Sequence, residues 1–452
     1  MKTINPANGK LIKEYPEHTP DEVFSIIEKA NHAFFKWKET SFTDRSRLMK
    51  KAAEVLRKNI DAYAGLMSLE MGKIIRESRA EVEKCAWVCD YYAENSEHFL
   101  ADEIVKTDAS KSFISFEPLG VVLAVMPWNF PFWQVFRFAA PGIMAGNIAL
   151  LKHASNVPGC AVAIEEIFKK AGFPQNVFNT LMISSTIVEM VIRNPIVKAV
   201  TLTGSEPAGR SVASIAGDEI KKTVLELGGS DPFIVLDDAD MDACINTAVQ
   251  ARMINTGQSC IAAKRFIVVK ARLKEFEERQ IKLMQSLKIG DPLLPDTQVG
   301  PLARMDLVDE LDNQVKKSIE MGAKLLCGGN RIKGPGAYYE PTVLSNVMQG
   351  MPAYQEETFG PVMTIIPVKD EQEAINVAND SEFGLGGSIW SQDIVKAERL
   401  ARKIQTGAVF INGMVKSDPR LPFGGIKKSG YGRELADYGI KEFVNIKSIW
   451  IK

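Results

Sequence analysis

The chain has 452 residues, 46% of them hydrophobic and 25% charged, with 55 Lys and Arg against 56 Asp and Glu. That length implies two to four domains at roughly 100–200 residues each, and the composition excludes disordered, collagen-like and disulfide-scaffold chains. A net charge of -1 carries no basic excess of the kind that draws nucleic acid.

The opening Met1–Pro6 segment lacks the apolar run of a signal peptide. The first hundred residues then read as helices. Val23, Ile26, Ile27, Ala30, Ala33, Phe34 and Trp37 follow helical spacing. Leu48, Ala52, Val55, Leu56 and Ile60 do the same behind a cap at Thr43 or Asp44. A third helix runs from about Arg76 to Phe99. Past that point short apolar runs, at Val121–Met126, Ile148–Lys152, Val177–Met182, Val197–Thr201 and Thr223–Leu227, alternate with helices near Gln134–Met144, Pro158–Lys170 and Pro207–Ala216. This alternation predicts βαβ units and a parallel, doubly wound sheet. Leu119–Leu151 is apolar, but Pro127, Asn129, Pro131, Gln134, Arg137 and Pro141 interrupt it. Such breaks are costly in a bilayer, so it reads as a buried strand–turn–helix–strand. A second alternation starts at Pro232–Leu236 and Met241–Ile254 and continues through Phe266–Val269 and a helix near Arg272–Lys288, which places a domain boundary near Gly228-Gly229. Phe443–Ile451 alternates weakly, as a strand pairing elsewhere would.

In an open parallel sheet, ligands bind beyond the carboxyl ends of the strands. Four predicted strand ends are followed by Asn129, Lys152, Gly204-Ser205 and Glu226. The segment from Gly204 to Ser211 has P-loop glycine spacing, but Arg210 replaces the Lys and Pro207 removes a backbone donor. A helix N-terminus there still suits a dinucleotide phosphate or a plain tight turn. Cys260, in a Gly/Ser-containing loop, reads equally as a nucleophile or as a small buried hydrophobe. Cys85, Cys89, Cys160, Cys244 and Cys327 read as reduced packing thiols of a cytoplasmic enzyme, and Cys85 and Cys89 lack the second ligand pair of a metal site. Of four histidines only His153 is placed to meet Cys260, so a carboxylate is the better base. Glu226, between apolar residues and Gly-Gly, suits a raised pKa, with a salt-bridged loop carboxylate as the alternative.

Seven segments, in chain order, carry a resemblance. They are Pro127-Trp128-Asn129-Phe130-Pro131, Leu151-Lys152, Thr203-Gly204-Ser205, Leu225-Glu226-Leu227-Gly228-Gly229, Gly257-Gln258-Ser259-Cys260, Glu357-Thr358-Phe359-Gly360-Pro361 and Pro422-Phe423-Gly424-Gly425. Along nearly its whole length the chain resembles the aldehyde dehydrogenase superfamily, and looks most like its short bacterial succinate semialdehyde dehydrogenases. The resemblance implies an α/β fold: a Rossmann-like parallel-sheet cofactor domain (1–101 and 118–228), an α/β catalytic domain (229–432) and a small β oligomerisation arm (102–117 and 433–452). Homodimers or homotetramers follow from such an arm. It also implies roles. Cys260 attacks the aldehyde, giving a thiohemiacetal and then a thioester. Asn129 and the Cys260 N–H hold the oxyanion, and Glu226 activates water. Trp128, Lys152, Gly204, Ser205, Glu357 and Phe359 belong to the cofactor site.

Ser155 stands three residues after Lys152, where members that prefer NAD commonly carry Glu. Ser can donate to a 2′-phosphate that a carboxylate would repel. NADP is therefore expected in preference to NAD. Arg137 lies at the offset where the succinate semialdehyde dehydrogenases hold the substrate carboxylate, an internal salt bridge being the alternative. Trp133, Ser259 and Ser417 complete the expected pocket. Another aliphatic or aromatic aldehyde is the competing substrate reading. Ile261 and Ala262 follow Cys260, so a local disulfide switch is not expected.

Overall fold

The alternation of apolar strands and helices folds as two mainly parallel sheets in the computed structural model, which describes residues 1–452. The first sheet runs Gly430–Tyr431, Lys222–Glu226, Val197–Thr203, Val121–Met126, Ile148–His153, Phe178–Thr180. Val121–Met126 and Ile148–His153 are buried at nearly every position, the pattern of a parallel strand covered on both faces. Helix Trp133–Met144, buried along its whole length, crosses between them.

The second sheet runs Lys324–Cys327, Thr342–Ser345, Val362–Val368, Arg265–Val269, Pro232–Val235, Gly386–Trp390, Ala408–Ile411, with only its first pair antiparallel. Its side chains alternate: Ile234, Ile267 and Leu344 enter one core, and Phe233, Phe266 and Val343 enter another. Both faces are therefore covered. A third, antiparallel sheet joins Val444–Ile451, Lys111–Pro118 and Glu103–Ile104.

Four local expectations change. Ser41, not Thr43 or Asp44, caps the second helix, its hydroxyl accepting from the Asp44 N–H at 3.1 Å. That helix, Phe42–Lys58, stops before Ile60 because Asn59 leaves helical geometry, and Ile60–Met71 is a helix of its own. The N-terminus is not helical: Lys2–Ile4 pairs with Leu11–Glu14, strands too short to show a period. Gly430–Tyr431, expected in the catalytic segment, instead extends the first sheet antiparallel to Lys222–Glu226. Gly430 has φ 110°, and a Cβ there would lie 2.0 Å from the Leu225 carbonyl oxygen, so only glycine allows the approach.

Candidate active site

Parallel register aligns the carboxyl ends of the first sheet. Val125 lies opposite both Lys152 and Leu202, Met126 opposite His153, and Thr203 opposite Glu226. All four strand ends open on one edge, where such sheets place ligands. Asn129 follows in a turn clamped from two sides. His153 Nδ1 accepts from the Ala154 N–H at 2.9 Å, so Nε2–H donates to the Pro131 carbonyl at 2.8 Å. Burial lowers His153 to about 4, which keeps the ring neutral and makes it a clamp rather than a partner of Cys260. On the other side, Glu81 accepts from the Phe132 and Trp133 N–H groups, both at 2.9 Å. Lys73 pairs with Glu81 and lies 3.7 Å from the Phe130 ring centroid. Asn129 itself is buried and donates to the Gln258 carbonyl at 3.2 Å, two residues from Cys260.

The cysteine loop is strained and heavily tethered. Asn255, Thr256 and Gly257 have φ of 52°, 56° and 77°. For a β-branched Thr that conformation costs on the order of 1–3 kcal/mol. A Cβ on Gly257 would lie 2.0 Å from the Gly360 carbonyl oxygen. Two buried cations hold the loop. Arg252 donates to the carbonyls of Gly257 at 2.6 Å and Ala263 at 3.0 Å. Lys264 donates to those of Ser259, Cys260 and Ala262 at 2.9, 2.9 and 3.2 Å, and pairs with Glu357 at 3.3 Å. Cys260 is partly exposed, whereas the other five cysteines are buried. Burial pushes its thiol up to about 12; Arg137 and Lys264 oppose the rise, and Glu357 and Glu226 add to it.

Glu226 closes its strand 2% exposed, with neither carboxyl oxygen hydrogen-bonded. Burial raises it well above the usual carboxylate range; Arg137 and Arg433 oppose this and Glu434 adds to it. Arg137 is buried and ion-paired with Glu434, with Nη2 3.4 Å from Thr203 Oγ1 and its guanidinium 4.6 Å from the Phe423 ring centroid. The internal pairing weighed from the sequence is thus present. Glu434 was not foreseen, since nothing in the sequence around it sets it apart from a surface carboxylate.

A cavity of about 680 Å³ is lined by Cys260, by Trp133, Arg137, Ser259 and Ser417, and also by Phe423 and Lys84. Trp133 Nε1 donates to Ser417 Oγ at 3.1 Å. Ser259 is fully buried and its hydroxyl has no partner.

The expected cofactor residues gather near the same edge. The Trp128 and Phe359 rings meet edge-on at 5.8 Å. Glu357 accepts from the Gly229 N–H at 3.0 Å. Gly204 N–H donates to the Glu226 carbonyl at 3.0 Å, which ties the Gly-Ser turn to the carboxylate strand. Ser205 precedes helix Glu206–Asp218 without making a cap bond, leaving that N-terminus open to an anion. Lys152 is half-buried, with burial the sole cause of its lowered pKa, and Ser155 is exposed just past the strand end. Arg210 pairs with Glu206 at 2.6 Å on its own helix, so it is not the cation of a phosphate cradle. An open helix N-terminus, an ammonium without a charged neighbour and a carboxylate beside Gly229 fit a dinucleotide's phosphate and two riboses.

The model of the aldehyde dehydrogenase family matches residues 1–449. The chain is 54% identical to a Synechocystis sp. protein named probable succinate-semialdehyde dehydrogenase, NADP(+), over 100% of this chain and 99% of the relative. It is 50% identical to succinate-semialdehyde dehydrogenase, NADP(+), 1 of Mycobacterium tuberculosis, with the same coverage. The crystal structure of succinic semialdehyde dehydrogenase from Streptococcus pyogenes with NADP+ superposes with a TM-score of 0.98 at 40% identity, covering 100% of this chain and 99% of that one.

Proposed function

Because the chain belongs to the aldehyde dehydrogenase family, we propose that it oxidises succinate semialdehyde to succinate with NADP, and with NAD less well. The observation that carries this is the cavity, where cationic Lys84 and Arg137 share the wall that Cys260 lines. Glu434 answers one of these charges, and a neutral aldehyde would leave the other, on Lys84, without an anion.

In this reading Cys260 Sγ attacks the aldehyde carbon as a thiolate, its proton having passed to solvent. Asn129 Nδ2 and the Cys260 N–H receive the oxyanion, each such donor contributing about 3 kcal/mol. The dinucleotide, held by Trp128, Lys152, Ser155, Gly204, Ser205, Glu357 and Phe359, contributes a hydride acceptor. The thiohemiacetal on Cys260 becomes a thioester. Glu226 then takes a proton from the water that attacks it, releasing the acid and restoring the thiol.

Steady-state kinetics with succinate semialdehyde and butanal, each with both cofactors, test the reading. Higher kcat/KM for succinate semialdehyde with NADP is expected, and no turnover in Cys260→Ala. Equal use of butanal would overturn the substrate, and preference for NAD the cofactor.

A homodimer or homotetramer is supported by exposed Ile104, Ile446, Trp450 and Ile451 on the three-stranded sheet. A cytoplasmic location is supported by six cysteines that form no disulfide. No helix is long and apolar enough to cross a membrane.

A further inference from the structure

The two oxyanion donors stand on different sheets. Asn129 follows Val121–Met126 of the first sheet, and Cys260 lies in the loop before Arg265–Val269 of the second. A donor contributes only if it meets the developing charge at about 3 Å, and a misplacement of about 1 Å costs on the order of 10²-fold in rate. The two loops therefore have to be fixed against each other.

Helix Ile75–Phe99 packs with the first sheet in one core. Glu77 and Glu81 lie about one turn apart on it and share a face. Glu81 holds the Asn129 turn through the Phe132 and Trp133 N–H groups. Glu77 reaches toward the other sheet: its Oε2 accepts from the Asn255 N–H at 2.8 Å, where the cysteine loop begins. Buried Lys73 pairs with Glu81, and its charge also reaches Glu77. Asn255 completes the connection. It is buried, and its Nδ2 donates to the Asn129 carbonyl at 2.7 Å and to the Gln258 carbonyl at 3.1 Å. The Asn129 amide is oriented as a result. Its Oδ1 accepts from the Phe130 N–H at 3.1 Å, and one Nδ2 hydrogen goes to the Gln258 carbonyl at 3.2 Å, which leaves the second for the substrate oxygen.

We infer that Glu77 and Asn255 are positioning residues of the oxidation: bonded to each other, they hold the cysteine loop in register with the Asn129 turn so that both donors converge on one oxygen. This rests on Asn129 acting as an oxyanion donor in the reading above. Glu77 also lines the cavity, so direct contact with the aldehyde is the competing role. Contact would alter KM, whereas positioning alters kcat.

The test is a double-mutant cycle between Glu77 and Asn129, read with succinate semialdehyde and with butanal. Glu77→Met removes the acceptor and keeps a stem of similar length. It should lower kcat about 10- to 100-fold on both aldehydes, with KM for aldehyde and for NADP within about twofold of wild type. Glu77→Gln keeps an oxygen that can accept from the Asn255 N–H and should stay within about threefold of wild type. Asn129→Ala alone should cost about 10²–10³-fold. Added to Asn129→Ala, Glu77→Met should cost no more than about twofold further, because its effect passes through that donor. An unchanged kcat in Glu77→Met, a change confined to KM, equal losses in Glu77→Met and Glu77→Gln, or losses that multiply in the double variant would each overturn the inference. Should Glu77→Met fail to fold, Asn255→Gly carries the same cycle, since glycine accepts the positive φ there and only the amide that holds Asn129 is lost. Multiplying losses beside a large effect of Asn129→Ala remove this inference alone. A wild-type kcat in Asn129→Ala removes the oxyanion assignment as well.

Discussion

Replacing Lys264 with Met keeps an apolar stem of similar length and deletes the buried ammonium. Three carbonyls, those of Ser259, Cys260 and Ala262, then lose their donor inside the cysteine loop. A buried group left unsatisfied costs about 1–3 kcal/mol, so the loss is about 3 kcal/mol even at the low end. The carboxylate of Glu357 also loses its ion partner. For a unit of 150–250 residues, about 3 kcal/mol corresponds to a fall in Tm of roughly 6–12 °C. The chemistry changes with it. Lys264 pulls the Cys260 thiol down, so its removal raises the thiol further and lowers the thiolate fraction at any given pH. Differential scanning calorimetry reads the first effect. The rate of iodoacetamide labelling of Cys260 at pH 8, in variants lacking the other reactive thiols, reads the second. A Tm within about 2 °C of wild type together with unchanged labelling would refute the reasoning, because both follow from the same bonds.

Three other outcomes follow from the same geometry. Glu226→Gln should retain a pre-steady-state burst of NADPH but lose about 10²–10⁴-fold in steady-state kcat, since a thioester would accumulate without its base; loss of the burst too would place Glu226 in the attack step. Glu226 is a carboxyl held above its ordinary range, so its base form is present only above that raised pKa, and kcat should climb with pH. Glu434 contributes to the rise. Glu434→Gln should therefore move the acid limb of the kcat profile to lower pH, and an unmoved limb would count against the coupling. Ser155→Glu should lower the NADP/NAD ratio of kcat/KM by about tenfold or more, through repulsion of the 2′-phosphate, and an unchanged ratio would remove Ser155 from cofactor choice.

Much of the site was readable from the chain because its parts are local. The turn with Asn129, the Gly-Ser turn before helix Glu206–Asp218 and the loop with Cys260 each need several consecutive residues of particular conformation. Such requirements leave contiguous marks. The alternation of elements was readable for the same reason, since burial on both faces demands unbroken apolar runs. The ends of elements were less so. The cap at Ser41 and the break at Asn59 depend on single side chains that compete with equally plausible neighbours.

The sequence by itself determined the fold class, the order of strands and helices, the nucleophile and its carboxylate partner as candidates, and the expectation of a dinucleotide. Only the tertiary structure decided which charges answer which. Lys84 meets Ser417 across 333 positions of chain, and Arg137 meets Glu434 from a different element again. Lys264, four residues from Cys260, turns inward to hold its loop where a solvated lysine would read the same. A charge on a helix or loop has no local signature of its partner. Its role follows from desolvation and from distances of a few ångströms, and those exist only once the chain has closed.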